Sequence, residues 1–335
     1  MAAPFLTVLT TPVPGARERL TRELRGRVRR IVKPGVPLPA ASPYPGHYAV
    51  VRSVVDGLRA IRADFNFNPR RMADLARVVY APANEALRQA AALKQQGRID
   101  YLAAGPVNAL FVDEGDGILL TPEIDRLIVA HEWATGLLGD APALRAKCRV
   151  CPCGVDTEAW KPSGAPRRDL ALVYWKSGDE AFCEQVERIV RSCGLEPRRL
   201  RSLHGEHALF RPADYRGLLD QAAIGVFLST FETQGLALAE AWAMDVPTLA
   251  WDPRGDAQWR GHRFAAQSSA PYLTPSTGLL WRTLDELEPA LRSALAARAA
   301  FRPRQWVLAH MTDAICSATL LAIIRDGAAD AERNR

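Results

Sequence analysis

Short apolar runs alternate with amphipathic stretches along most of the chain. Phe5–Thr10 is an apolar run of strand length. Tyr48–Ile61 spaces its apolar residues for one helix face, opened by Pro45-Gly46-His47, and the pattern predicts further helices over 69–76 and 84–96. Strands are predicted at 77–81, 101–104, 109–112 and 127–130, with a short apolar segment at 118–121. The second half repeats the alternation. Strands are expected at 170–174, 200–203, 224–228 and 246–251, and helices at 182–193, 215–222, 236–244 and 284–299. Residues 269–281 read as a sheet-edge segment, and 301–325 as one long helical pattern. Strands and helices alternating at this spacing predict an α/β architecture with doubly wound, mainly parallel sheets. In such sheets ligands sit at the carboxyl ends of strands. Asn66, Gly105, Asn108 and His131 all fall near predicted strand ends.

The chain of 335 residues is too long for one ordinary core and implies two domains. A hydrophobic content of 48% with 24% charged residues is that of a soluble globular protein. No apolar run reaches the roughly 20 residues that span a bilayer. The N-terminus has no basic segment before its apolar stretch, so it makes a poor signal peptide, and a cytoplasmic location is expected. The net charge of +6 is unevenly placed. Arg17–Lys33 holds eight basic residues against Glu18 and Glu23, which equals the excess of the whole chain. Leu20, Leu24 and Val28 give that stretch one apolar helix face. It is either a solvated helix or a basic face for anionic lipid or a polyanionic acceptor. No nucleic-acid motif accompanies it, so no nucleic-acid partner is expected. Cys148, Cys151 and Cys153 lie close together, but no second Cys or His pair completes a zinc set. No metal site is expected, and the three cysteines read as small packing residues.

The richest stretch is Ile224–Asp252, which reads as strand, loop, helix, turn, strand. The polar loop 229–235 carries Glu232, Thr233 and Gln234 and ends in Gly235, where the backbone can approach a ligand closely. Free N–H groups from Gly235 through Leu236 to Ala237 form a site for a phosphate. Glu240, one to two helical turns on, can accept two hydroxyl donors. A ligand with a diphosphate and vicinal hydroxyls fits both features, and nucleotide sugars are such ligands.

Here the sequence resembles a known family. E-T-Q-G-L-A-L-A-E-A-W-A-M-D-V-P-T is similar to the E-x7-E signature of the group 1 (family 4-like) glycosyltransferases, with Glu232 and Glu240 as its carboxylates. Gly154-Val155-Asp156, Trp160 and Pro162 resemble that family's interdomain hinge. The resemblance is strong over the C-terminal half and weak over the N-terminal half. It implies the GT-B fold: two Rossmann-like doubly wound domains facing a cleft, with a C-terminal helix crossing back to the N-terminal domain. The implied domains are 1–160 for the acceptor, 161–300 for the donor, and 301–335 for the crossover helix and tail.

The implied reaction moves a sugar from a nucleotide-diphosphate-sugar to an acceptor hydroxyl of a glycan or lipid-linked glycan. Retention is implied, and no cofactor or catalytic metal. Glu240 would hold the nucleotide ribose and Glu232 would lie near the donor sugar. Lys176 would face the diphosphate, although the arginine that often accompanies it is not obvious here. Gly205 would sit near the nucleobase. Gly46 and His47 resemble a cleft-facing loop, with one glycine where two are common. Asn66, Gly105 and Asn108 are then candidates for the acceptor side, and His131 a third catalytic candidate beside Glu232 and Lys176. Two other classes remain open. One is a degenerate transferase that only binds nucleotide or glycan. The other is a scaffold for a partner transferase.

Overall fold

The computed structural model describes residues 4–15, 47–139, 141–202 and 211–334. The expected basic helix of 17–33 lies outside them, as do Gly46 and Gly205. The chain divides into two compact units, Met1–Cys151 with Cys316–Arg335, and Pro152–Ile315. The division falls inside the expected hinge segment.

The first unit is a six-stranded parallel sheet, β1(Leu6–Val8), β2(Phe65–Phe67), β3(Val78–Ala81), β4(Tyr101–Ala104), β5(Arg126–Val129) and β6(Cys148–Val150). The strand order is β2-β1-β3-β4-β5-β6. Helix α1(Tyr48–Ala60) covers one face, where Val51, Val55 and Leu58 meet Leu6, Val8 and Tyr101. Helix α2(Asn84–Gln95) covers the other through Leu87 and Ala90. A short helix, α3(Pro142–Lys147), leads into β6.

The second unit has a five-stranded parallel sheet built from β7(Leu170–Trp175), β8(Glu196–Arg201), β9(Ile224–Leu228), β10(Thr248–Trp251) and, beyond a hairpin, β13(Gly278–Trp281). Its order is β13-β10-β9-β7-β8. Strand β7 shows the period of two that a doubly covered sheet imposes. Leu170, Leu172 and Tyr174 face α5(Pro212–Gln221), α6(Leu236–Ala243) and α8(Pro303–His310). Ala171, Val173 and Trp175 face α4(Glu180–Ser192) and α7(Leu284–Ala296).

Helix α9(Asp313–Arg333) begins in the second unit, and from Cys316 it packs on the first. Leu320, Leu321 and Ile324 join the α1 face, and the Ser317 hydroxyl meets the carbonyls of Ser53 and Val54 at 3.4 and 3.3 Å. Gly327 is required there, because a Cβ would lie 2.0 Å from the Tyr101 hydroxyl oxygen.

Several predicted elements differ. The long pattern of 301–325 is two helices, because Met311–Asp313 is engaged by the hinge. Val155 N–H donates to Met311 O at 2.8 Å, and Asp313 N–H to Val155 O at 3.3 Å. The expected strand at 109–112 is a turn. The Glu114 carboxylate accepts the amides of Leu110 and Phe111, at 2.6 and 3.1 Å, which a strand would need for its ladder. Residues 69–76 form one 3-10 turn, Met72–Asp74, fixed by Asn66 Nδ2 on Asp74 O and by Ala76 N–H on the Thr7 hydroxyl. The strand expected at 200–203 is instead β8, a charged run with a proline, both of which suit an edge strand. An unpredicted hairpin, β11(Gly255–Trp259) with β12(His262–Ala266), follows β10. No described helix is long and apolar enough to cross a membrane.

Candidate functional site

The carboxyl ends of β7 and β9 lie side by side, with Trp175 paired to Leu228. The loops that leave them therefore meet. Lys176 and Ser177 both donate backbone N–H groups to Leu228 O, at 3.0 and 2.9 Å. The Lys176 ammonium reaches Glu232 Oε1 at 2.5 Å, with the two side chains 18% and 16% exposed. The same carboxylate oxygen accepts the Ser229 hydroxyl at 3.1 Å. Glu232 is held at its backbone too, through its N–H on Ser268 O at 3.0 Å. A cation, an anion and a hydroxyl are thus gathered at one sheet end, the ion pair joining residues 56 apart in sequence.

Gly235 closes the loop and starts α6. Its φ of +63° and ψ of 44° are left-handed, which explains a glycine at this helix cap. The start of α6 lies beside Glu232, whose Cβ would be 3.9 Å from a Cβ on Gly235. Leu238, Ala239 and Trp242 on α6 are buried, while Glu240 is half-buried. Two phenols feel the Glu240 charge. Tyr215 is fully enclosed, and its hydroxyl donates to Ala237 O at 2.6 Å. Burial first, then Glu240 and Tyr174, hold its proton well above the ordinary tyrosine range. Tyr174 donates to the Ser202 hydroxyl at 2.9 Å and is also shifted upward, mainly by burial. Tyr174 stacks on Phe227 at 5.1 Å and approaches Tyr215 at 5.7 Å.

The other loop candidates have defined places. Gln234 pairs with the hinge backbone, accepting Cys153 N–H at 2.9 Å and donating to Cys153 O at 3.4 Å. Thr233 and Leu236 are half-buried on either side of it. Gly205 lies outside the described residues. The neighbouring strand also carries a cation at this sheet end. Arg201 pairs in register with Trp175, and its guanidinium lies 5.4 Å from the indole centroid. Ser229, Ser268 and Tyr215 were not foreseen as site residues. Ser229 could have been found as the first polar residue after an apolar strand. Ser268 and Tyr215 arrive from distant segments and leave no local signal.

Of the first unit's candidates, Gly105 and Asn108 are joined by a hydrogen bond. His131 precedes the 3-10 helix Glu132–Leu138, and its Nδ1 accepts Trp133 N–H at 3.3 Å. A neutral imidazole there carries its proton on Nε2. Asn108 is buried and closes its own loop, accepting Gly105 N–H at 2.5 Å and donating to Asn84 at 3.2 Å. Gly105 O also accepts the Tyr80 hydroxyl at 2.7 Å. Asn66 braces Asp74, as described above. His47 is exposed at the start of α1, and Gly46 lies outside the described residues. The three clustered cysteines are free thiols directed at three different carbonyls, those of Leu144, Cys316 and Gly154. Among the described residues, no group of three or more His, Cys, Asp and Glu side chains is placed to hold a metal ion.

No family model matches the chain, and no curated protein matches it. Solved structures do match. HepE of Anabaena, in complex with UDP-glucose, superposes with a TM-score of 0.56 at 13% identity, over 96% of this chain and 99% of that one. The catalytic domain of starch synthase IV from Arabidopsis thaliana, bound to ADP and acarbose, gives 0.57 at 10% identity, over 98% and 100%. Sucrose-phosphate synthase of Thermosynechococcus elongatus gives 0.51 at 14%, over 96% and 98%. With two Rossmann-like parallel sheets already established, these superpositions over nearly whole chains decide the architecture. The fold is GT-B. Within this GT-B chain, the second unit carries the Lys176–Glu232 pair, the Gly235 helix start and Glu240 at one sheet end.

Proposed function

We propose that the protein is a glycosyltransferase that moves a sugar from a nucleotide-diphosphate-sugar to an acceptor hydroxyl, with retention and without a catalytic metal. The observation that carries this reading is the meeting of Lys176 with Glu232 beside the start of α6, with Glu240 further along the same helix. The N–H groups from Gly235 to Ala237 take the diphosphate, where a helix start favours negative charge. Glu240 accepts the two ribose hydroxyls. Glu232 takes a hydroxyl of the donor sugar. Lys176 stabilises the departing nucleoside diphosphate, a bond that strengthens as negative charge develops there. The nucleotide complexes of HepE and starch synthase IV, on the same fold, support a nucleotide-sugar as the co-substrate.

The acceptor is proposed to be a glycan or lipid-linked glycan served by the first unit, with His131 on that side as a catalytic candidate. The basic stretch 17–33 would bring that unit to an anionic membrane surface. A panel of UDP-, GDP-, ADP- and CMP-sugars tests the reading by thermal melting and donor consumption. A donor present at a hundredfold its Kd stabilises the fold by about 2.7 kcal/mol. Stabilisation with turnover supports the transferase. Stabilisation without turnover leaves a nucleotide-binding module, and a flat panel removes the donor reading.

A further inference from the structure

Between β10 and β13 the chain leaves the second sheet after Trp251 and rejoins it at Gly278. Asp252 closes the neck of this excursion. Its carboxylate is almost wholly buried and uses both oxygens, accepting Arg254 Nε at 2.6 Å and Ser269 N–H at 3.1 Å. Its own N–H donates to Trp281 O at 2.8 Å. Within the excursion, β11 and β12 pair antiparallel around Arg260 and Gly261, both at positive φ, the two-residue turn that matches strand twist.

The hairpin has two chemically different faces. Asp256 and Arg263 make an ion pair on the outside at 3.2 Å, with both side chains well exposed. On the inside, Phe264 and Trp259 meet Phe231 edge to face, with centroids 5.0 and 6.2 Å away. Phe231 is buried and immediately precedes Glu232. Ser268, just inside the neck, accepts the Glu232 N–H. Pro271, just beyond it, lies 3.6 Å from where a Gly235 Cβ would be. The excursion therefore touches the loop at Phe231, Glu232 and Gly235 in turn.

We propose that the 252–269 strap is a positioning device for Glu232, with Asp252, Phe264 and Ser268 as its positioning residues. The inference rests on the reading of Glu232 as the donor-sugar contact, and it adds what sets that contact's geometry. The loop between β9 and α6 belongs to neither element, so its backbone has no ladder or helix to define it. The strap supplies an acceptor for the Glu232 amide and an aromatic socket for the residue before it. Lys176 and Ser229 then fix the carboxylate from the other side. Edge-to-face aromatic packing stabilises beyond the area it buries, enough to favour one loop conformation. A displacement of about 1 Å in a reacting contact lowers turnover by about a hundredfold.

Three variants of the full chain test this: Phe264→Ala, Phe264→Tyr as the conservative rescue, and the isosteric Asp252→Asn. Hydrogen exchange at residues 231–235 is read beside turnover on whichever donor the sugar panel selects. For Phe264→Ala the Glu232 amide is expected to exchange roughly tenfold faster while β9 and the body of α6 stay protected. kcat is expected to fall ten- to a hundredfold, with the nucleoside diphosphate Kd little changed. Phe264→Tyr restores both, and Asp252→Asn reproduces the loop exchange of Phe264→Ala. Wild-type exchange at Glu232 in both folded variants, Phe264→Ala and Asp252→Asn, overturns the proposal. The exchange arm needs no activity, so a chain that consumes no nucleotide-sugar defeats the donor reading alone, and the strap is still decided by the amide.

Discussion

Lys176 and Glu232 neutralise each other at the carboxyl end of the second sheet, 2.5 Å apart and largely withdrawn from solvent. In the proposed reaction, a diphosphate arriving at the start of α6 would compete with Glu232 for that ammonium. Donor binding would then turn an internal ion pair into a lysine–phosphate contact and leave Glu232 to a sugar hydroxyl. Lys176→Ala is expected to lower kcat about a hundredfold while changing the donor KM less, since the contact strengthens as the leaving group charges. Lys176→Arg keeps the charge and should recover part of the loss. Steady-state kinetics on the panel's best donor checks this, and unchanged turnover in Lys176→Ala would remove the lysine from the chemistry.

Glu240 is proposed to hold the nucleotide ribose. Glu240→Ala is expected to weaken nucleoside diphosphate binding by about ten- to a hundredfold, the loss of a charged hydrogen-bonding partner worth roughly 1.5–3 kcal/mol. The cooperative melt should survive, because the carboxylate is only half-buried. Titration calorimetry with the nucleoside diphosphate decides it. An affinity equal to wild type would count against a ribose contact.

Gly235 tests the helix start. A Cβ there would meet Leu238 Cδ1 at 3.4 Å, an ordinary contact, so the difficulty is the left-handed backbone and not space. Gly235→Ala should destabilise by about 1–2 kcal/mol and weaken diphosphate binding. Asn enters this conformation more readily, so Gly235→Asn should melt between the two. An Ala variant as stable as wild type would show that the loop has no need of this conformation.

Two thiols should be inert. Burial pushes Cys148 and Cys183 up to about 11, where the ordinary value is 9.0. At pH 8 each then carries about a hundredfold less thiolate than in the denatured chain, and the thiolate is the nucleophile. Iodoacetamide labelling followed by mass spectrometry should find both slow in the native protein and fast in urea. Rapid native labelling would contradict the burial of Cys183 and the raised thiol of half-buried Cys148.

The basic stretch calls for a lipid experiment. Each Arg near an anionic surface contributes about 1 kcal/mol at physiological salt. The protein should co-sediment with anionic liposomes at low salt and release at high salt, while ignoring neutral ones. Arg22→Gln, Arg25→Gln and Arg29→Gln together should weaken sedimentation and leave nucleotide affinity intact. Sedimentation indifferent to lipid charge and salt would leave the stretch a solvated helix.

Much of the second unit was legible in the sequence, because its determinants are local. Ile224–Leu228 is apolar at every position and is buried on both faces as β9, with the predicted bounds. Gly235 adopts the left-handed backbone that a glycine takes without strain, and Leu236–Ala243 is built from strong helix formers. Period and composition fix such elements over a few residues. Strand ends then follow, and with them the placement of Lys176, Glu232 and Glu240.

What only the tertiary structure decided depends on contacts between distant segments. No pattern near Glu232 announces that Lys176 will neutralise it or that Ser268 will accept its amide. The hairpin of Gly255–Ala266 went unread because its inner aromatic positions alternate with charges over only a few residues, and the partner they pack against is Phe231. The break at Met311–Asp313 lies inside a continuous helical pattern and exists because Val155 takes the backbone groups there. Asn66 and Asn108 are read as candidates from their places near strand ends, but that Asn66 donates to Asp74 O and that Asn108 meets Gly105 and Asn84 is set by the packing of separate segments. Periodicity reports which face of an element is apolar. Which polar group meets which is settled only when the elements pack, because a hydrogen bond depends on ångström distances that sequence spacing does not encode.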